Sequence, residues 1–214
     1  VFSSICNNVE ETLYSLLESK SGIGKTDLLD TKYKDEIPVC EIKKDSRQLA
    51  EVLGLKMEHN DTRTTLIAML AAKEALEDAG ITSVSSNKNI RTGLISATTV
   101  GGMDETEKHY LHFLDLNKEG HFLDFIDKHD CGASTESMAD FFGIKDHVAT
   151  ISTACSSSAN SIMFGARLIK HGILDRVLVG GTDALSKFTL NGFNSLKILD
   201  RKHCRPFDDT REGL

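Results

Sequence analysis

The sequence predicts an α/β layered protein, and three observations carry that prediction. Three short apolar runs read as buried strands: Thr92-Gly93-Leu94-Ile95-Ser96-Ala97-Thr98, the run from His147 through Val148-Ala149-Thr150-Ile151, and Arg176-Val177-Leu178-Val179-Gly180-Gly181. Segments with helical periodicity separate them. Each run ends in glycines or other small residues, the composition of a tight turn at a strand end. Alternation of this kind builds a sheet covered by helices. No internal repeat or low-complexity linker interrupts it, and a single domain over residues 1–214 is expected.

Asn8-Val9-Glu10-Glu11 is a capping-box pattern opening a helix with Leu13, Leu16 and Leu17 on one face, which ends before Gly22. Residues 23–59 are mixed and charged, a long excursion with a short strand at Ile37-Pro38-Val39-Cys40 and a helix near 46–53. A stronger helix runs from about 62 to 79, with Leu66, Met69, Leu70, Ala72 and Leu76 apolar and Gly80 as its stop. After the first buried strand and Gly101-Gly102, residues 103–146 read as helix in pieces, clearest over 134–142. The second strand, 147–154, leads into a helix over about 157–171 whose Ile162, Met163, Ala166 and Ile169 share a face. The third strand, 176–181, precedes a broken helix over 184–199.

Composition bounds the function. The 214 residues carry 40% apolar and 27% charged side chains, ordinary for a globular protein. A formal charge of −7 argues against a nucleic-acid surface, though not against a local basic patch. No apolar run approaches the roughly 18 residues of a membrane span. Five irregularly spaced cysteines without a C-x-x-C read as reduced thiols, and the cytoplasm is the expected location. The chain begins at Val1 without a signal-like stretch, so its true start is expected to lie upstream.

The most informative segment is Ile151-Ser152-Thr153-Ala154-Cys155-Ser156-Ser157-Ser158-Ala159-Asn160. A cysteine between a strand end and a helix start lies where unpaired helix N–H groups stabilise negative charge, which lowers a thiol pKa. Small neighbours leave the sulfur reachable. A lone cysteine is more often a buried structural residue, but the small-residue corner reverses that preference here. Ser156 reads as helix-cap material.

Other motifs fall away. Gly22-Ile23-Gly24-Lys25-Thr26 resembles the end of a phosphate-binding loop, but Ser19 stands where its first glycine belongs and a helix precedes it instead of a strand. His129-x-Cys131 and His203-Cys204 lack the second spaced pair of a closed zinc site, and no metal site is expected. There is no G-x-S-x-G hydrolase elbow. Gly101-Gly102 and Gly180-Gly181 are turn glycines in the structural reading; in the functional one, both line the same sheet end as Cys155.

The run Ser152-Thr153-Ala154-Cys155-Ser156-Ser157-Ser158 resembles the active-site motif of the β-ketoacyl synthases, condensing enzymes of fatty-acid and polyketide assembly. The resemblance continues in order through Val179-Gly180-Gly181-Thr182-Asp183, Gly192-Phe193 and Cys204-Arg205-Pro206-Phe207-Asp208. Upstream it includes Asn7-Asn8-Val9-Glu10-Glu11, Ser21-Gly22-Ile23 and Glu74-Ala75-Leu76-Glu77-Asp78-Ala79-Gly80. It implies a thiolase-like fold, layered αβα with a mixed five-stranded sheet. This chain would be the N-terminal half only, short of the front of its first strand and stopping at Arg211-Glu212-Gly213-Leu214. The family's catalytic histidines and lysine belong to the other half, so this half alone is expected to be inactive.

The resemblance implies that Cys155 accepts an acyl group from phosphopantetheine on an acyl carrier protein, with no other cofactor. A malonyl thioester then decarboxylates and condenses with that group. Val100 and Phe193 fall at acyl-pocket positions, each equally readable as an ordinary core residue. Lys197, and less specifically Arg63, fall where a basic residue would meet the acidic carrier protein. A homodimer or a ketosynthase-like heterodimer is expected. Two alternatives remain: a non-catalytic chain-length-factor subunit, against which an intact Cys155 counts, and a CoA-dependent thiolase. Against the thiolase stand Ser156-Ser157-Ser158, where glycine-containing sequence is typical, and the Arg205-Pro206-Phe207-Asp208 run. Chain length and pathway are open.

Overall fold

The structure is a computed structural model in which residues 1–56, 60–84, 89–115 and 126–214 are described. Leu49–Ala184 form one compact unit, and Val1–Gln48 with Leu185–Leu214 form another. In chain order the elements are α1 (Val9–Leu17), β1 (Ile23–Gly24), β2 (Val39–Cys40), α2 (Ser46–Leu53), α3 (Arg63–Asp78) and β3 (Thr92–Ala97). There follow α4 (Met103–Asp115), α5 (Cys131–Phe142), β4 (His147–Ile151), α6 (Ser157–Lys170), β5 (Arg176–Val179) and α7 (Lys187–Ser195). Parts of the expected excursion and of the helical stretch, 57–59 and 116–125, lie outside the described residues.

In the 49–184 unit the strand order is β4-β3-β5, all parallel. All six residues of β3 are buried, as a central strand covered on both faces requires. Ile95 packs with Leu168 and Leu174, and Ala149, Ile151, Phe164, Val177 and Val179 close around them. Three parallel strands among the described residues replace the mixed five-stranded sheet that the resemblance implies. The other strands, β1 and β2, pair antiparallel with each other. Past Val179 the Gly180 N–H bonds the Ile95 carbonyl and the Thr182 N–H the Ala97 carbonyl, so backbone bonding runs on in the β3–β5 register until Asp183 reaches the end of β3.

Helix α3 begins and ends on local signals. Thr62 is its N-cap, accepting from the Thr65 N–H, and Gly80 just past its end has φ +68°. Nine of its residues are buried. Behind β4, α5 is joined to its neighbours by hydroxyls: Thr150 Oγ1 donates to Thr135 Oγ1 at 2.6 Å, and Thr65 and Ser134 share a bond of 2.8 Å.

Helix α6 has the expected period with the opposite face inward. Ser157, Ser161, Gly165 and Leu168 are buried, while Ile162, Met163 and Ile169 are 55%, 45% and 44% exposed. Small residues at four-residue spacing let the helix lie close to the sheet, which bulky side chains would prevent. The strand before it is also shorter than expected, ending at Ile151 rather than 154.

In the other unit, Asn8 caps α1 by accepting the Glu11 N–H at 2.7 Å, and Glu11 takes the Asn7 N–H at 2.8 Å. Leu13, Leu16 and Leu17 face solvent, and Ser15 is the buried residue, its hydroxyl donating to the Ile5 carbonyl. No helix among the described residues is long and apolar enough to cross a membrane.

Candidate active site

Because β3, β4 and β5 are parallel, their C-terminal ends share one sheet edge, where ligands bind in open α/β sheets. Three turns leave that edge: 98–102, 152–155 and 180–183. The offset of 84 residues that pairs Thr92 with Arg176 and Ile95 with Val179 brings Asp183 opposite Thr99. The offset of 54 that pairs Ala97 with Ile151 brings Thr153 beside the same residue. Gly101-Gly102 and Gly180-Gly181 therefore do flank the Cys155 turn.

Cys155 is exposed, in a single 3-10 turn (Ala154–Ser156) that feeds directly into α6. Ala154 before it has φ +54°, a left-handed conformation costing a non-glycine residue about 1–3 kcal/mol. Hydrogen bonds over-determine that turn. The Ala154 carbonyl accepts from Ser157 Oγ at 2.7 Å and Thr99 Oγ1 at 3.3 Å, while the Thr153 N–H donates to Ser157 Oγ at 2.8 Å. Asn160 Nδ2 donates to Thr153 Oγ1 at 2.8 Å. Ser156 occupies the N-cap position but makes no capping bond; its hydroxyl donates back to the Thr153 carbonyl at 2.8 Å. The serines thus shape the turn, and the cysteine stands exposed on it.

The neighbouring turn is held by a carboxylate. Asp183 Oδ1 accepts the Thr98 hydroxyl at 2.5 Å, the Thr99 N–H at 2.8 Å and the Val100 N–H at 3.3 Å. Thr98 Oγ1 in turn accepts the Gly101 N–H at 3.1 Å. Below them Thr64 Oγ1 donates to the Gly101 carbonyl and accepts the Ala184 N–H. Gly181 has no room for a side chain, since a Cβ there would stand 2.1 Å from Ser158 Oγ. Asp104, in the first turn of α4, is buried, and that burial, reinforced by Glu105, holds its carboxyl above the usual carboxylate range.

Val100, half-buried, lies in the 98–102 turn, adjacent in chain to the Thr99 that bonds the Ala154 carbonyl, so the structure brings it to the Cys155 edge. Arg63 is the first residue of α3, next to Thr64 and thus near the base of that turn. Phe193 and Lys197 belong to the other unit: Phe193 is exposed on α7, and Lys197 follows that helix with φ +58°, its N–H donating to the Asn194 carbonyl. Sequence reasoning assigned no role to Asp183, Thr98 or Thr99. Their signal was an acid and two hydroxyls at matching ends of neighbouring strands, which becomes legible only with the register.

Residues 1–214 match the family described as β-ketoacyl synthase, N-terminal domain. The chain belongs to the β-ketoacyl synthase family. It is 26% identical over 218 residues to 3-oxoacyl-[acyl-carrier-protein] synthase 2 of Staphylococcus aureus, covering 99% of this chain and 53% of that protein. To Nodulation protein E of Rhizobium meliloti it is 30% identical over 154 residues, 71% of this chain and 38% of that one. The solved ishigamide ketosynthase/chain length factor superposes with a TM-score of 0.87 at 25% identity, covering all of this chain and 53% of its own. The fold is that of the ketosynthases, thiolase-like, and this chain corresponds to its N-terminal half. The chain spans about half the length of the curated relatives it matches.

Proposed function

We propose that the chain supplies the nucleophile half of a 3-oxoacyl-acyl-carrier-protein synthase. The observation that carries this reading is the exposed Cys155 on a strained, multiply bonded turn at the end of a parallel strand. Its thiolate attacks the carbonyl of an acyl thioester borne on the phosphopantetheine arm of an acyl carrier protein. The tetrahedral oxyanion collapses by expelling the phosphopantetheine thiolate, leaving the acyl group on Sγ. This splits one hard step into two. A malonyl thioester then loses carbon dioxide, its carbanion equivalent attacks the acyl carbonyl, and Cys155 leaves as thiolate. The product is a β-ketoacyl thioester two carbons longer. The Cys155 N–H serves as one oxyanion donor, a contribution typically worth about 2.7–4 kcal/mol.

In this reading Val100 and Phe193 each take the acyl-pocket role, and Lys197 and Arg63 each the carrier-protein role, that the resemblance implies for them. The enzyme works in the cytoplasm on a fatty-acid or polyketide pathway, as a homodimer or with a chain-length-factor-type partner of the kind present in the ishigamide complex. An intact Cys155 favours the catalytic role over that of the partner itself. The test is intact-protein mass spectrometry of the full-length enzyme incubated with acyl-carrier-protein thioesters. A mass increase equal to the acyl group, mapped to Cys155 and absent from Cys155→Ala, supports the reading. A wild-type enzyme that takes up no acyl group overturns it.

A further inference from the structure

One side chain connects the turn that bears Val100 with the turn that bears the thiol. Asp183 receives three donors on a single carboxylate oxygen, all from residues 98, 99 and 100. Two of those donors are backbone N–H groups, so the carboxylate fixes the path of the main chain and not merely a rotamer. The third, the Thr98 hydroxyl, passes the constraint on by accepting the Gly101 N–H. Thr99, whose N–H is held by Asp183, donates its own hydroxyl to the carbonyl of Ala154, the residue whose left-handed backbone precedes Cys155. The chain of bonds therefore runs from Asp183 through Thr99 to the nucleophile turn, across all three strands of the sheet.

We propose that Asp183 is a positioning residue that sets the Val100 turn against the Cys155 turn and thereby governs which acyl lengths the site accepts. The inference rests on the reading of Cys155 as acyl acceptor. Asp183 touches neither the thiol nor the acyl group in this account; it acts through residues 98–100. Strands alone cannot perform this function, because β3 ends at Ala97 and β4 at Ile151, short of the residues concerned.

The experiment measures kcat and KM for a series of acyl thioesters of increasing length with full-length wild-type enzyme, Asp183→Ala, Asp183→Asn and Thr99→Val. Released from its anchor, the 98–100 turn discriminates less between short and long chains, so the ratio of their kcat/KM values should fall about tenfold in Asp183→Ala. Asp183→Asn keeps an acceptor oxygen and should retain most of the discrimination. Thr99→Val removes only the exposed bond to Ala154, leaves the fold little disturbed and should shift the ratio in the same direction. Equal loss of kcat/KM at every length in Asp183→Ala, together with a wild-type ratio in Thr99→Val, overturns the inference, for it marks Asp183 as a structural staple. Unaltered selectivity in both overturns it as well. A wild-type enzyme that never acylates Cys155 overturns the underlying reading and this inference with it, whereas an acylated wild type with unaltered variants overturns the inference alone.

Discussion

Gly165 of α6 lies against Val179 of β5 so closely that a Cβ on the glycine would stand 2.5 Å from Val179 Cγ1, and 3.0 Å from Val177 Cγ1. That approach brings the helix that follows Cys155 down onto the sheet. Gly165→Ala should cost about 1–3 kcal/mol, the usual penalty for overpacking. A loss of about 2–4 °C in melting temperature per kcal/mol is expected for a chain of this size. Adding Val179→Ala opens space and should recover part of the loss. Circular-dichroism melts check both variants; a single mutant as stable as wild type would mean that the helix can ride higher at no cost.

Exposure alone does not single out Cys155, because Cys40 is exposed too, while Cys6 is buried and Cys131 and Cys204 are half-buried. The proposed acyl transfer separates them. In the full-length enzyme, iodoacetamide should label Cys155 and Cys40 ahead of the other three. Prior incubation with an acyl thioester should protect Cys155 only, since an acylated sulfur has no thiol to alkylate. Peptide mapping reads the result, and protection of neither cysteine would count against acyl transfer to this site.

Val100 lies in the turn that bonds the Cys155 turn through Thr99 and is half-buried. Val100→Phe adds a ring where an acyl tail would run. The longest accepted acyl chain should shorten, and kcat/KM for short primers should stay within about twofold of wild type. A primer series assayed by product mass checks it. An unchanged upper limit would return Val100 to the role of an ordinary packing residue.

Local signals in the sequence were legible, and non-local ones were not. Asn8 at the start of α1 and Gly80 as the stop of α3 act within one helical turn, so those residues alone place these two helix ends. The Cys155 corner was equally readable, because an apolar strand meeting a cluster of small residues is a local pattern. Which face of α6 turns inward was not. Ile162, Met163 and Ile169 have the composition of a core, yet Ser157, Ser161 and Gly165 face the sheet because close approach outweighs apolar area there. In α1, too, the residue turned inward is polar: Ser15 is buried and bonds the Ile5 carbonyl, while Leu13, Leu16 and Leu17 are exposed. The Asp183 clamp joins residues more than 80 positions apart, and only the parallel register of β3 and β5 makes them neighbours.

Glu41 should make the stability of the protein depend on acid. Burial by itself would raise its pKa. Donors outweigh that effect: the Thr26 hydroxyl at 2.5 Å, the Asp27 N–H at 2.7 Å, Lys43 Nζ at 3.0 Å and the Leu29 N–H at 3.1 Å. The folded carboxyl is thereby held at about 2, against an ordinary value of 4.5. A depressed acid binds its proton more tightly when unfolded than when folded, so its contribution is complete above about pH 4.5 and is lost as the pH falls toward 2. The shift corresponds to roughly 3 kcal/mol. Glu41→Gln presents an amide NH2 to a site built of donors, and it should lower stability at pH 7 while flattening the fall between pH 4.5 and 2. Urea unfolding at a series of pH values measures both. Parallel pH profiles for wild type and variant would show that the loop over 26–29 does not depend on the charge of Glu41.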